Sequence, residues 1–399
     1  MIEVDKIACV GCSACASVCP REVIKLQRNS EGFLYPVIVN QTNCIECGLC
    51  NKSCPVINLK EETKFEQKAA IAQIYDDKIR KESASGGMFS AIALCVLEKG
   101  GIVFGAAYDD NFKVKHIAVD SKEELHRLRN SKYVQSDLSG IFVLVKRHLL
   151  SNKLVCFSGT PCQIEGLKCF LNKDYPNLIL VDVVCHGVSS PLIWDKYLET
   201  IDVYKPEDIY FRWKHYGYKY STMSIFSKNK EVYFSGVESD KMLRAYFSNG
   251  CDRETCYKCQ FKKRYRESDF TIWDCFQPRY FDKSFDDDKG TSCVLLHTEK
   301  AKRWFEEIID KKMIRYLYVP SEEIVEGNRE MVGSVKRNPI RDSILIDAQN
   351  LDSNSLFKKY FPDSKKQKIK RFIRITLVKI GLYSFFKYKL FLYRMRKKR

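Results

Sequence analysis

Apolar and polar positions set up a repeated strand, turn and helix in the middle of the chain. Lys153-Leu-Val-Cys-Phe157 reads as a buried strand and Ser158-Gly-Thr-Pro-Cys162 as its turn, with Gln163 to Leu171 spaced as a helix that has Pro161 near its first position. Leu178-Ile-Leu-Val-Asp-Val-Val184 repeats the logic, with Cys185-His-Gly-Val-Ser-Ser190 as turn and Pro191 opening a second helix. Strands alternating with helices predict a parallel sheet, and such sheets build their sites from the loops after the strands' carboxyl ends. Upstream, Ser83 to Leu97 joins a small-residue turn to an apolar helix that ends at Gly100-Gly101. Gly101–Tyr108 and Val114–Val119 read as strands, Ser121-Lys-Glu-Glu124 as the capping box of a further helix, and Leu138 to Leu150 as a helix. From about Val203 the pattern changes. Asp208–Trp213, Met223–Phe226 and Glu231–Phe234 alternate aromatic and polar positions, as antiparallel strands do. Asp288 to His297 reads as turn plus strand and Glu299 to Lys311 as a closing helix, while residues 320–364 show no clear period.

The first sixty residues have a different organisation. Cys9-Val-Gly-Cys12-Ser-Ala-Cys15-Ala-Ser-Val-Cys19-Pro20 recurs as Cys44-Ile-Glu-Cys47-Gly-Leu-Cys50-Asn-Lys-Ser-Cys54-Pro55. Each is the run by which bacterial-type ferredoxins hold iron–sulfur clusters, the fourth cysteine serving the other cluster. Cys9, Cys12, Cys15 and Cys54 are therefore assigned to one 4Fe–4S cluster, and Cys44, Cys47, Cys50 and Cys19 to a second. Each copy predicts a cluster loop, a short helix after the proline and an extended segment such as Gly32–Val39. The polar run Lys60–Lys68 reads as a linker, with a second domain starting near Ala69.

At 399 residues and 45% hydrophobic content, the chain is long enough for two or three domains. Eighteen cysteines, eight of them in the ferredoxin runs, indicate a reducing compartment rather than a disulfide framework. The start of the chain lacks a basic segment followed by an apolar run, so a cytoplasmic location is expected. Net charge is +17, but fourteen Lys and Arg between Lys365 and Arg399 account for all but +3 of it. The near-neutral body argues against nucleic-acid binding.

Further cysteines sit in informative places. Cys162 and Cys185 occupy matching turns, so neighbouring strands put them on one rim. Cys256-Tyr-Lys-Cys259 is half a metal site or a redox dithiol. Together Cys162, Cys185, Cys256 and Cys259 make a candidate third 4Fe–4S site, with Cys251 and Cys275 in reserve and Cys95, Cys156, Cys169 and Cys293 read as core. The turn Ser85-Gly86-Gly87 before a helix is either a phosphate-binding N-terminus or a simple tight turn.

Ser85-Gly-Gly87, Gly105–Tyr108, Ser131-Lys-Tyr-Val-Gln135, Ser158–Gln163, Cys185-His-Gly187, Cys256–Cys259, Arg266-Glu-Ser-Asp269 and Lys289–Ser292 occur in the order seen in coenzyme F-420 hydrogenase/dehydrogenase β-subunit proteins. The chain resembles a bacterial member with a fused ferredoxin domain. The fold class this implies is α+β: a bacterial-type ferredoxin domain fused to an α/β flavin-binding domain with an additional antiparallel β region. Residues 1–60 would form the tandem ferredoxin domain, 69–200 and 201–315 the two parts of the flavin domain, and 365–399 a basic amphipathic tail. The resemblance implies FAD, with Ser85, Gly86 and Gly87 at its phosphates, Lys132, Tyr133 and Gln135 lining the flavin, and Gly159, Thr160 and Pro161 on another side. His186 would be a hydrogen-bond donor to flavin or substrate, or a structural histidine behind a cluster ligand. Relatives often carry a Gly-Asp-Phe-Trp turn where this chain has Trp273-Asp274-Cys275-Phe276.

The function so implied is an iron–sulfur flavoprotein oxidoreductase. It would take electrons from a ferredoxin or another redox protein and deliver them through clusters and FAD to a small-molecule or lipid-linked substrate, as in surface-polysaccharide synthesis. The alternative is a non-catalytic electron-transfer subunit of a larger complex. The tail's apolar runs are broken by Lys379, Lys387 and Lys389, too often for a spanning helix. Its mixture of cations and apolar residues suits an anionic membrane surface, on the inner face, a packed helix pair with a solvated basic face, or a nucleic acid or acidic partner.

Overall fold

The computed structural model describes residues 3–396. Met1 and Ile2, at the start expected to lack a leader, and the last three residues of the basic tail lie outside the described residues.

The ferredoxin lobe is built on a hairpin of β1 (Ile24–Arg28) and β2 (Leu34–Ile38). Its short helices, Ala14–Val18 and Leu49–Lys52, fall inside the cysteine runs, not after the prolines as expected. The reason is local: Cys19 is held extended at φ −69°, ψ 113°, the conformation that a following proline imposes, so the turn of helix must finish before it.

The body is an eight-stranded mixed sheet. In chain order its strands are β3 (Lys68–Ile74), β4 (Ile102–Tyr108), β5 (Val114–Val119), β6 (Val155–Gly159) and β7 (Leu178–Val183). A separate three-stranded antiparallel sheet follows, of β8 (Asp208–Trp213), β9 (Thr222–Ser227) and β10 (Lys230–Gly236). The large sheet then resumes with β11 (Phe270–Asp274), β12 (Ser292–Leu296) and β13 (Ile314–Tyr318), in the spatial order β13-β3-β12-β11-β7-β6-β4-β5. Its centre, β4, β6, β7 and β11, is parallel as the alternating pattern predicts, and the outer pairings are antiparallel. The sheet crosses the expected division at 200/201, because β7 pairs with β11.

Side chains alternate across this sheet. Val103, Cys156, Ile179 and Val181 face the helices Met88–Glu98 and Glu299–Asp310. Phe104, Val155, Phe157 and Leu180 face the helices Ile141–Leu150 and Pro161–Leu171, and this second core runs on into Cys12 and Ala14 of the ferredoxin lobe. The expected helix after Ser121 is only a short 3-10 turn, Glu124–Leu128, although Ser121 Oγ does accept from the Glu124 N–H at 3.4 Å. Residues 320–364, without a readable period, form the helices Ser321–Glu326, Arg341–Asn350 and Ser353–Tyr360. The tail is a helical hairpin, Lys365–Lys379 and Tyr383–Arg396, and no helix among the described residues is long and apolar enough to cross a membrane.

Candidate functional site

All eighteen cysteines are free thiols. Cys9, Cys12, Cys15 and Cys54 line one small cavity in the ferredoxin lobe, and Cys19, Cys44, Cys47 and Cys50 line a second. Each cavity thus collects three cysteines from one run and the fourth from the other. No group of three or more candidate ligands among the described residues is tight enough for a lone metal ion. A four-iron cube makes a different demand, since each of its corner irons takes its own thiolate.

Cys162 is the second residue of the helix Pro161–Leu171, which Pro161 and a Thr160/Gln163 capping box start directly after β6. Cys185 follows β7, the parallel neighbour of β6, so the two turns share a rim. Cys256 and Cys259 come from the 3-10 turn Glu254–Lys258 and its end. Burial raises the pKa of all four thiols. Cys259 and Cys185 push Cys162 up further, Cys259 acts likewise on Cys185, and both act on Cys256. Desolvation and mutual repulsion penalise the thiolate form, so four such cysteines near one another ionise together only when something cationic binds them.

Of the remaining cysteines, Cys95, Cys156 and Cys251 are fully buried, Cys275 and Cys293 lie side by side in a core, and half-buried Cys169 lies near Cys54. Cys12 is electrostatically in touch with Cys162, which links the ferredoxin lobe to the third cysteine set.

Cys185 also lines a cavity of about 570 Å³, within the usual size of cofactor sites. Ser85, Gly87, Lys132, Tyr133, Gly159, Thr160 and His186 all reach it. Three expected residues do not. Gly86 is wedged between strands, where an added Cβ would meet the Ser292 nitrogen at 2.5 Å, and its N–H donates to Ser292 Oγ. Pro161 is buried as the first residue of its helix. Gln135 turns to the ferredoxin lobe, where its Oε1 accepts from the Leu34 N–H at 2.9 Å.

The Lys132 ammonium donates to the carbonyls of Arg127 and Arg129, and burial brings its pKa down to about 7. Tyr133 stacks on Tyr246, centroids 4.3 Å apart and planes 2° apart. His186 has both nitrogens engaged, Nδ1 with Glu330 Oε1 and Nε2 with Asn249 Oδ1, each at 2.8 Å. Burial disfavours the imidazolium, but the bond and charge of Glu330 outweigh it and hold the His186 pKa above its ordinary value. For His186 to donate to a ligand, one of these two bonds must be given up.

Several lining residues had no signal in the sequence. Arg212 on β8 pairs with both oxygens of Asp274 at the end of β11, at 3.2 and 3.3 Å, and reaches the Tyr133 hydroxyl. These side chains come from elements about sixty residues apart, so no local motif joins them. Arg374, Tyr383 and Lys387 come from the tail hairpin, which therefore forms part of the cavity wall.

Residues 8–58 match a 4Fe-4S dicluster domain. Residues 69–142 match the N-terminal part, and 152–320 the C-terminal part, of the coenzyme F420 hydrogenase/dehydrogenase beta subunit. Over 170 residues the chain is 29% identical to the coenzyme F420-dependent sulfite reductase of Methanocaldococcus jannaschii, a stretch covering 41% of this chain and 25% of that protein. It is 38% identical over 61 residues to ferredoxin-1 of Caulobacter vibrioides, covering 15% of this chain and 49% of that one. The chain thus spans about a quarter of the sulfite reductase and half of the ferredoxin. Among solved structures it is similar to a chain of the F420-reducing NiFe hydrogenase complex from Methanosarcina barkeri, with a TM-score of 0.44 and 17% identity, covering 75% of this chain and 94% of that chain.

Proposed function

Because the chain belongs to the coenzyme F420 hydrogenase/dehydrogenase beta-subunit family and carries a 4Fe–4S dicluster domain ahead of it, we propose that it is an oxidoreductase that passes electrons between a redox partner protein and a flavin, FAD, in the 570 Å³ cavity. Iron–sulfur clusters and flavin, when bound, supply the electron chemistry. The chain's own residues set the route. The observation that carries this reading is the succession of cysteine sets: one reaching the surface at exposed Cys47, one at Cys12 beside Cys162, and one whose Cys185 lines the cavity.

The roles follow from placement. Cys162, Cys185, Cys256 and Cys259 would hold the third cluster. Ser85, Gly87, Lys132, Tyr133, Gly159 and Thr160 would hold the flavin, with the Lys132 ammonium docked on two carbonyls and facing the cavity as a fixed donor. The substrate is a small or lipid-linked molecule, and a role in surface-polysaccharide synthesis is an extension of the same reading. Gln135 is reassigned from the flavin to the joint between ferredoxin lobe and body.

One observation favours a second reading, a non-catalytic wiring subunit: both nitrogens of His186 are taken by protein groups. Anaerobic iron, sulfide and flavin quantification separates the two. About twelve irons and one FAD per chain support the enzyme, whereas about eight irons and no flavin support the wiring subunit. The Cys162→Ala variant should lose about four irons; unchanged iron would remove the third cluster.

A further inference from the structure

The tail hairpin lies beyond residue 320, where the family match ends, yet it contributes to the cavity wall. Its cations there are Arg374 and Lys387, and they stand with Arg212 and Lys219 from the antiparallel region. Three of the four have a carboxylate each: Arg212 has Asp274, Lys219 has Asp286, and Arg374 has Glu238 at 2.7 Å. Lys387 differs. Its ammonium donates to the Lys219 carbonyl at 2.6 Å and lies 5.1 Å from the Tyr383 ring centre, and Asp288 is the carboxylate it feels at longer range. Burial first, then Arg212 and Arg374, bring its pKa down to about 8. Among the described residues the cavity lining carries six cations, of which Arg129, Arg212, Lys219 and Arg374 each have a carboxylate partner, while the ammonium groups of Lys132 and Lys387 rest on backbone carbonyls.

An ammonium packed among three other cations without a carboxylate of its own is electrostatically unfavourable until an anion arrives. Guanidinium and ammonium groups converging from separate segments are the donor set that recognises phosphate oxygens. Resting on the flavin reading above, we propose that Lys387, Arg374, Arg212 and Lys219 form an anion subsite that takes a phosphate or diphosphate group of the substrate, with the tail hairpin closing the cavity over it. The substrate is then a phosphorylated molecule, either soluble or carried on a lipid.

The test is calorimetric titration of the full chain with inorganic pyrophosphate and with geranyl diphosphate at low salt, alongside FAD quantification. Lys387→Ala should weaken both ligands at least tenfold and leave FAD content unchanged. Lys387→Arg should restore binding, and Lys389→Ala, on the exposed face of the same helix, should bind as the parent does. With that pattern in place, tighter binding of geranyl diphosphate marks a lipid-borne substrate and equal binding a soluble one. The proposal is overturned if Lys387→Ala binds normally, if Lys389→Ala weakens binding as much, or if Lys387→Ala loses FAD in parallel, since the corner would then serve the cofactor. A flavin-free parent that still binds pyrophosphate through Lys387 would remove the flavin reading and leave the subsite standing.

Discussion

Gly166 and Cys12 touch: a Cβ built on Gly166 would lie 2.8 Å from the Cys12 sulfur. Gly166 is buried in the middle of the helix that carries Cys162, so the absence of a side chain lets the ferredoxin lobe close against the body. Alanine there would gain about 1 kcal/mol of helix propensity. That gain is outweighed by overpacking of about 1–3 kcal/mol and by displacement of Cys12, a proposed cluster ligand. Gly166→Ala should therefore lose about four irons per chain, those held through Cys12, as iron quantification would show. Full iron content would mean that the lobe has room to shift.

Arg253 makes a second joint. It is fully buried, its Nε donates to the Cys9 carbonyl at 2.8 Å, its Nη1 to the Leu34 carbonyl at 3.0 Å, and its guanidinium lies 3.9 Å from the Tyr35 ring centre. Replacement by methionine removes both bonds and leaves the carbonyls buried. A loss of about 2–4 kcal/mol in denaturant unfolding is expected, together with faster proteolysis of residues 1–60 while the rest of the chain stays folded. An unchanged unfolding midpoint would contradict it.

A pH dependence follows from His297. Arg264 Nε donates to Gln67 Oε1, which fixes that amide so that its Nε2 donates to His297 Nδ1 at 2.8 Å. On the other side Thr271 donates to Asp182 and accepts from His297 Nε2–H at 2.7 Å. The imidazole is thus held neutral, and burial, then Arg266, pushes its pKa down to about 3. With the folded value below the unfolded one, the unfolded chain binds the extra proton, so stability rises with pH. The contribution is complete above about pH 6.5 and is lost progressively as pH falls from there toward 3, amounting to about 5 kcal/mol in all. Denaturant midpoints of His297→Gln should fall less between pH 7.5 and 5 than those of the parent; equal slopes would sink the assignment.

The outer face of the tail hairpin exposes Ile369, Phe372, Ile373, Ile380, Phe385 and Phe386 amid lysines and arginines. This combination should bring the chain down with vesicles containing anionic lipid and not with neutral ones. Phe372→Glu/Phe386→Glu should cut that binding at least tenfold, and high salt should weaken it. Sedimentation independent of lipid charge would argue against a membrane role.

How much of this was legible depends on how far apart the partners lie in the chain. The ferredoxin runs carry their own spacing, and the matching turns after β6 and β7 put Cys162 and Cys185 on one rim because parallel neighbours share an orientation. The helices Met88–Glu98 and Pro161–Leu171 announced themselves by small residues and a proline. Arg212 with Asp274, and Lys387 with Lys219, left no trace, because a tertiary ion pair or a lysine on a carbonyl has no period. Gln135 failed for a related reason: a motif shows that a residue is placed with care, but not which of two neighbouring bodies it serves.

Strand β3 is made well before its neighbours in the sheet, β12 and β13, residues 292–296 and 314–318. On the ribosome the cysteine-rich first lobe emerges complete while β3 still lacks both partners. Its apolar stretch, Ala69 to Ile74, must wait with both edges open until β12 and β13 are made, a state prone to wrong pairing. The interval also gives iron delivery a head start: clusters can enter the lobe before Arg253 arrives to clamp it. Chains starved of iron should then fail during synthesis, leaving aggregated protein rather than a soluble form that can be reloaded afterwards.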